Sequence, residues 1–193
     1  RTAAAAALRV SVWSPAASGW GAIVNARAGK AIAPPTAKPF MLTPLVIAMP
    51  EPMAEALGYP EEPIGFTDIF ELSTSGEGWA AFGHPEWGPF LLGKTNPNFS
   101  TRGLSALIAQ SYAATGKTEG LTTEDLAQQE VIDFATGVES AVVHYGDTTL
   151  TFLENMSREA AAGQGLTYVS AVTVEEKSVL DYNLGNPTGD PAT

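Results

Sequence analysis

The 193-residue chain is 45% hydrophobic and 16% charged, with 21 acidic and 10 basic side chains and a formal net charge of -11. This composition is rich enough in apolar residues for a folded core, and its acidic balance disfavours nucleic acids and anionic membrane surfaces as partners. The absence of cysteine excludes disulfide frameworks, thiolate metal sites and cysteine nucleophiles. Since no apolar run approaches the ~18 residues of a membrane span, we expect none in this chain.

The N-terminal quarter predicts two strands separated by a helix and a linker. Alternating β-branched residues predict a strand over 8–13, and a short helix over 16–28 ends at Gly29. Repeated prolines then indicate an extended linker or crossover over 30–41. A continuous apolar run bounded by prolines predicts a buried strand over 43–49.

The rest of the chain alternates helices and strands. The predicted helices are 52–57, 67–72, 101–115 capped by Ser100 or Thr101, one beginning at Thr122 or Thr123, one beginning at Thr148 or Thr149, and 174–182. The predicted strands are 89–93, 142–145 and 166–172. Thr173 and Glu176 have the Thr-x-x-Glu spacing of a capping box for the last helix. This alternation predicts an α/β fold with parallel strands flanked by helices.

Several predicted strands run directly into helix starts that are rich in hydroxyl groups, at 93–101, 145–149 and 172–176. In open α/β sheets, ligands bind outside the carboxyl ends of the strands. A helix N-terminus offers unpaired N–H groups and a partial positive charge, so an anionic ligand remains possible despite the negative net charge. We therefore expect a ligand site at this edge of the sheet.

The sequence supports catalysis and nucleotide binding less well than it supports a ligand site at the edge of the sheet. Residues 88–95 match the Walker A pattern literally, but 90–92 predict a strand where the phosphate loop must lie, and Pro97 interrupts the helix that must follow. The chain has no Gly-x-Ser-x-Gly nucleophile elbow. His84 and His144 are far apart, without metal-binding spacing, and are expected to be structural. We expect neither an enzyme nor a metal or cofactor site.

A resemblance to a known family rests on the order of several stretches: 12–15, 43–50, 83–88, 93–103, 144–149 and 172–183. Together they resemble the type-2 periplasmic-binding-protein family, the soluble receptors of ABC importers. The most similar group is the actinobacterial one in which such a module precedes a von Willebrand factor A domain. That second domain is not expected here, because its Asp-x-Ser-x-Ser metal motif does not occur in the chain.

The resemblance implies a periplasmic-binding-protein-like, three-layer α/β lobe with a parallel or mixed sheet flanked by helices, plus partial segments of a second lobe. It implies a partial first-lobe segment and linker over 1–41. A second lobe with hinge crossings at its ends follows over 42–175, and a return helix with a loose tail occupies 176–193.

The resemblance also implies a site for a small solute or an oxyanion. Its candidate ligand-binding residues are Ser14, Thr43, Ser100, Thr101, Gly103, Asp147, Thr148 and Glu175. Each has a structural alternative: the hydroxyls and Asp147 suit helix caps, turns or strand edges, and one of Glu175 and Glu176 suits the capping box. Gly103 would let a ligand approach the backbone closely.

Two functions follow from these expectations. The first is an extracytoplasmic solute-binding module, secreted or anchored at the cell surface. It would close two lobes over its ligand for transport or sensing, with a membrane permease or another surface protein as partner. The second is a non-enzymatic structural or interaction protein of the cell surface that reuses the same fold. Stabilisation by a ligand would distinguish the first from the second.

Overall fold

The computed structural model describes residues 12–34 and 38–189. The chain divides into two compact units, Arg1–Leu42 and Thr43–Thr193. The predicted strand over 8–13 lies mostly outside the described residues, and the two described residues at its end are not in a strand.

The smaller unit contains the predicted first helix, α1 (Gly19–Ala28). It ends at Gly29, whose φ of 64° is in the left-handed region that glycine adopts most readily. Asn25 attaches the following loop to this helix. Its side chain accepts hydrogen bonds from the N–H groups of Ile32 and Ala33 and donates one to the Ala33 carbonyl.

The larger unit contains the sheet and the remaining helices. Its strands are β1 (Leu45–Ala48), β2 (Leu92–Thr95), β3 (Val142–Gly146) and β4 (Ala171–Glu175). Its helices are α2 (Glu51–Ala56), α3 (Phe66–Thr74), α4 (Thr101–Thr115), α5 (Thr123–Leu126), α6 (Gln129–Ser140), α7 (Thr149–Ala161), α8 (Gly165–Tyr168) and α9 (Glu176–Asn183). Two short 3-10 helices, Gly78–Phe82 and Pro85–Trp87, lie between α3 and β2.

The described strands form a four-stranded sheet in the order β1-β4-β2-β3. Strands β4, β2 and β3 are parallel, and β1 is antiparallel to β4. The carboxyl ends of the parallel strands therefore meet at one edge, and the beginning of β1 reaches the same edge beside Glu175. We call this the carboxyl edge. The predicted hydroxyl-rich helix starts all lie at this edge of the sheet.

Helices cover both faces of the sheet, as the predicted α/β class requires. One core joins Ala171 of β4 to buried residues of α3, α4 and α6. The other joins Val172 and Val174 of the same strand to residues of α7 and α9. This alternation along β4 is expected of a strand whose two faces are both buried. The architecture is the mixed, helix-flanked lobe that the sequence predicted.

Strand β4 departs from its prediction. It begins at Ala171 rather than at 166, and residues 165–168 form α8 instead. The predicted capping box is wrong, because Thr173 lies inside β4, paired with Ile47, and the N-cap residue of α9 is Glu175. Sheet pairing on both sides of β4 outweighs the local capping pattern, since a strand residue cannot also cap a helix.

The remaining differences concern boundaries and helix faces. Strand β2 begins at Leu92 rather than at 89, and the predicted helix after Thr122 is divided into α5 and α6. In α4, Leu107 and Ile108 are exposed although they are large apolar residues of a helix that packs on the sheet. The buried positions of α4 are instead Gly103, Ala106, Gln110 and Ser111. The small side chains of Gly103, Ala106 and Ser111 let α4 approach the sheet closely. Side-chain size rather than hydrophobicity therefore determines which face of the helix is buried.

A buried serine oxygen links the two 3-10 helices to the sheet. The fully buried Trp79 donates its indole N–H to Ser170 Oγ at 2.9 Å, and the Leu91 N–H donates to the same oxygen at 3.0 Å. We expect Ser170→Ala to lower the free energy of unfolding by about 1–3 kcal/mol for each donor that it leaves unpaired. Urea unfolding measures this loss.

Ser73→Ala is the matched control, because the half-buried Ser73 hydroxyl only donates to the Ile69 carbonyl one turn earlier in α3. That substitution should change the free energy of unfolding by less than about 0.5 kcal/mol. An equal effect of the two substitutions would contradict the structural role of Ser170.

Candidate functional site

All but one of the predicted ligand-binding residues lie at the carboxyl edge. Thr43 precedes β1; Ser100, Thr101 and Gly103 follow β2; Asp147 and Thr148 follow β3; and Glu175 ends β4. Four adjacent strands at the usual spacing make this row about 14 Å long. Ser14 lies exposed in the smaller unit. The edge therefore presents hydroxyl and carboxylate groups over the length of a small solute.

Ser100 forms the junction between β2 and α4. Its Oγ accepts hydrogen bonds from the N–H groups of Arg102 at 3.2 Å and Gly103 at 3.4 Å, so it is the N-cap of α4. Thr95 Oγ1 donates to the same oxygen at 2.8 Å, and the Ser100 N–H donates to the Asn96 carbonyl. Thr101 is the first residue of α4 and is half-buried. The end of β2 and the start of α4 are thus held by one hydroxyl.

Gly103 packs against the backbone of the same junction. A Cβ atom at this position would lie 2.1 Å from the Thr95 carbonyl oxygen, 2.8 Å from Pro97 N and 2.9 Å from the Asn96 carbonyl carbon. The space beside Gly103 is therefore filled by the chain itself. Its lack of a side chain lets the first turn of α4 lie directly over the β2–α4 loop.

The structure adds Arg102 to the edge, a residue that the sequence analysis missed. Its guanidinium forms an ion pair with the Glu175 carboxylate, so the first turn of α4 is linked to the end of β4. The two side chains are 27% and 14% exposed, and Ser178 Oγ lies 3.5 Å from the second carboxylate oxygen. An arginine in the first turn of a helix opposes the helix dipole, and this unfavourable placement was the clue available in the sequence.

The β3 side of the edge is more open. Thr148 caps α7 by accepting a hydrogen bond from the Thr151 N–H at 3.3 Å, and its hydroxyl also lies 3.0 Å from Thr151 Oγ1. Asp147 and Thr148 are both exposed, as is Thr43 at the opposite end of the row. These side chains are accessible to a solute that approaches the edge from outside.

A buried charged cluster lies just inside the edge. Lys94 of β2 is 3% exposed; its Nζ donates to Gln110 Oε1 at 2.9 Å and pairs with the Glu139 carboxylate, which also accepts a hydrogen bond from Tyr145. This use of Lys94 within a strand leaves no phosphate loop at the literal Walker A match.

The pKa values of the cluster follow from burial and these contacts. Burial alone would raise the pKa of Glu139, but the hydrogen bonds from Lys94 and Tyr145 outweigh it and hold that pKa below its ordinary value. Burial, together with the hydrogen bond to Glu139, raises the pKa of Tyr145. The carboxylate is thus stabilised in its ionised form and the phenol in its neutral form.

Both histidines make ring contacts. His84 stacks on Trp87 with ring centroids 3.7 Å apart, and His144 stacks on Tyr168 at 4.2 Å. Within residues 12–34 and 38–189, no three His, Cys, Asp or Glu side chains are grouped to hold a metal ion. In the same ranges, no helix is both long and apolar enough to cross a membrane.

A separate groove of about 1140 Å³ lies in the larger unit. It is lined mainly by apolar residues of β1, α2, α7, α8 and α9, including Val46, Met49, Leu153, Met156, Tyr168 and Tyr182. None of the predicted ligand-binding residues lines this groove. The polar groups expected of a solute site therefore converge at the carboxyl edge and not in the groove.

Comparison with known proteins identifies a family for the chain. Neither curated proteins nor solved structures give a significant match to the chain. Residues 1–182 match the family described as bacterial extracellular solute-binding protein. Proteins of this family lie outside the cytoplasm and are generally non-enzymatic. With the match extending over nearly the whole sequence, the chain belongs to the bacterial extracellular solute-binding proteins.

Proposed function

We propose that this protein captures a small solute at the carboxyl edge of its sheet, for transport or for sensing. The observation that carries the proposal is the meeting of the β2, β3 and β4 ends at one edge, where hydroxyl, carboxylate and guanidinium groups line up. Ligands of open α/β sheets bind at this end of the strands. A solute-binding family with generally non-enzymatic members points to binding rather than to catalysis.

The residues at the edge have complementary roles in this proposal. Ser100 Oγ acts as the acceptor in its contacts with Thr95, Arg102 and Gly103, so its own proton is available to a solute. Thr43, Thr101, Asp147 and Thr148 contribute further polar groups along the row, and Ser14 stays a candidate from the sequence.

Capture proceeds by closure of two lobes about a pair of hinge strands. The pairing of β1 with β4 supports this step, because the two segments that we expect to cross between lobes lie side by side, with Leu45 opposite Glu175. The Glu176 N–H also donates to the Pro44 carbonyl. Residues 42–175 would form one lobe and 1–41 part of the other. Hinge strands of this kind allow closure over a ligand without chemistry.

We further propose that the protein is secreted or anchored at the cell surface, where a membrane permease or another surface protein receives the solute. A von Willebrand factor A domain as partner would instead favour the alternative, a structural or interaction role at the cell surface. The extracellular solute-binding family supports this location, and the acidic chain disfavours direct attachment to anionic lipid.

A thermal-shift screen against oxyanions, sugars, amino acids and divalent metals tests the proposed function. At about 100 times its Kd, a solute adds about 2.7 kcal/mol, which raises Tm by several degrees. Replacing Ser100 and Thr101 together by alanine should abolish this shift, because it removes two polar groups from the edge.

The matched control is Thr122→Ala, which removes the N-cap of α5 rather than that of α4. It should lower Tm through the same loss of a cap but leave the solute-dependent shift intact. If no class of solute shifts Tm, solute capture is excluded and a surface interaction role becomes the better explanation.

A further inference from the structure

Arg102 and Glu175 place opposite charges at the centre of the carboxyl edge. They follow or end β2 and β4, the two central strands of the sheet, whereas the exposed Thr43 and Asp147 lie at its two ends. The pair is mostly shielded from water, at 27% and 14% exposure of the two side chains.

A second polar group, two residues from Glu175 on β4, makes no hydrogen bond to the described residues. Thr173 is 1% exposed, and its Oγ1 makes no hydrogen bond within the described part of the chain. It stands two residues before Glu175 on β4, so both side chains leave the same face of the strand. That face packs on α4, since Ala171 shares a core with Ala106. A buried hydroxyl without a protein partner is uncommon and needs an explanation, which hydrogen bonding to a bound solute would supply.

Charge balance restricts what can enter between Arg102 and Glu175. Separating a shielded ion pair is unfavourable unless each charge gains a new partner. A simple anion would satisfy the guanidinium but leave the carboxylate unpaired, and a simple cation would do the reverse. A small zwitterion satisfies both, because its carboxylate matches the planar guanidinium in the way that the Glu175 carboxylate does now.

We propose, resting on the function proposed above, that Arg102 and Glu175 are specificity-determining residues that select a small zwitterionic solute. The solute carboxylate pairs with Arg102, and its ammonium group pairs with Glu175. Thr173 Oγ1, the next polar atom along the same face of β4, completes its hydrogen bonding with the solute. In the ligand-free protein the two charged side chains satisfy each other.

Titration calorimetry with a matched set of probes tests this selection. Glycine and other small amino acids should bind, whereas acetate and methylammonium, which carry the two charges separately, should bind at least tenfold more weakly. Sulfate and glucose should behave like the separate ions. The same probes in a thermal-shift assay should give the same order.

Variants of Arg102, Glu175 and Thr173 test which side chains select the solute. Arg102→Lys keeps the charge but loses the planar fork, and should weaken amino-acid binding at least tenfold. The double variant Arg102→Gln with Glu175→Gln leaves no unpaired charge, so it should remain folded by circular dichroism and lose amino-acid binding. Thr173→Val removes the hydroxyl without changing shape. It should keep or raise Tm and weaken amino-acid binding severalfold, a combination that a purely structural role would not produce.

The outcomes separate this inference from the proposed function. If sulfate or glucose binds the native protein and the double variant equally well, the selection is wrong while solute binding stands. Amino-acid binding that is unchanged in the double variant or in Thr173→Val overturns the inference in the same way. If no solute of any class binds, the proposed function fails and the inference fails with it.

Discussion

Gly103→Ala is expected to lower the free energy of unfolding by about 3 kcal/mol, which is near the upper end of the usual cost of overfilling a packed site. The added Cβ would lie 2.1 Å from the Thr95 carbonyl oxygen and 2.8 Å from Pro97 N, so it meets backbone that cannot rotate away. The clash is relieved only if α4 moves away from the β2–α4 loop. Equilibrium unfolding in urea measures the loss, and solute-dependent stabilisation should disappear with it, because the loop carries the proposed site.

Gly65→Ala is the control within the same unit. Gly65 is also at a helix start, with an ordinary φ of -129°, and its Cβ would meet only Asp68 Oδ2 at 3.9 Å. Alanine is a poorer N-cap than glycine, so we expect a loss of less than about 1 kcal/mol. If Gly103→Ala is no more harmful than this control, α4 does not approach the loop as closely as the structure shows.

Glu139→Gln is expected to lower the free energy of unfolding by about 3–5 kcal/mol, because it leaves the Lys94 ammonium buried without its carboxylate. Gln110 still accepts one hydrogen bond from Lys94 but carries no charge. The cluster joins β2 and β3 to α4 and α6 just inside the carboxyl edge. Its loss should therefore destabilise the strands and helices that position the proposed site, and urea unfolding measures this effect.

A double-mutant cycle with Lys94→Met separates pairing from packing. Methionine fills much of the same volume without a charge, so the double variant should be more stable than Glu139→Gln alone. The two substitutions share one ion pair and should not be additive. Additive losses would show that Lys94 and Glu139 stabilise the fold independently of each other.

The pH dependence of the same variants supplies an independent check. The folded protein holds the pKa of Glu139 below its ordinary value of 4.5, so the stabilisation is fully present above pH 4.5 and is lost as the pH falls through the folded-state pKa. The difference in unfolding free energy between the native protein and Glu139→Gln should shrink in that acidic range. Tyr145 has the opposite sign: its raised pKa means that stabilisation is lost as the pH rises above 10.

Local patterns in the sequence determined the helix starts on which the site depends. Ser100 and Thr148, each one of two predicted capping residues, cap α4 and α7, because an N-cap bonds to N–H groups within the next three residues. The alternation of strands and helices likewise determined the α/β class. In a parallel sheet, this class is enough to gather the residues that follow successive strands at one edge. Their roles toward a solute stay predictions.

Contacts between distant segments decided what the sequence could not. Thr173 has the spacing of a capping residue, but pairing with Ile47 keeps it inside β4, where its hydroxyl makes no hydrogen bond to the described residues. The buried face of α4 follows Gly103 because the loop after β2 needs that space. The Arg102–Glu175 pair joins residues 73 positions apart, a contact that no local pattern encodes. The sequence alone thus determined elements whose stabilising bonds are local. Register, buried faces and charge pairing were decided by the tertiary structure, because they depend on which segments pack together.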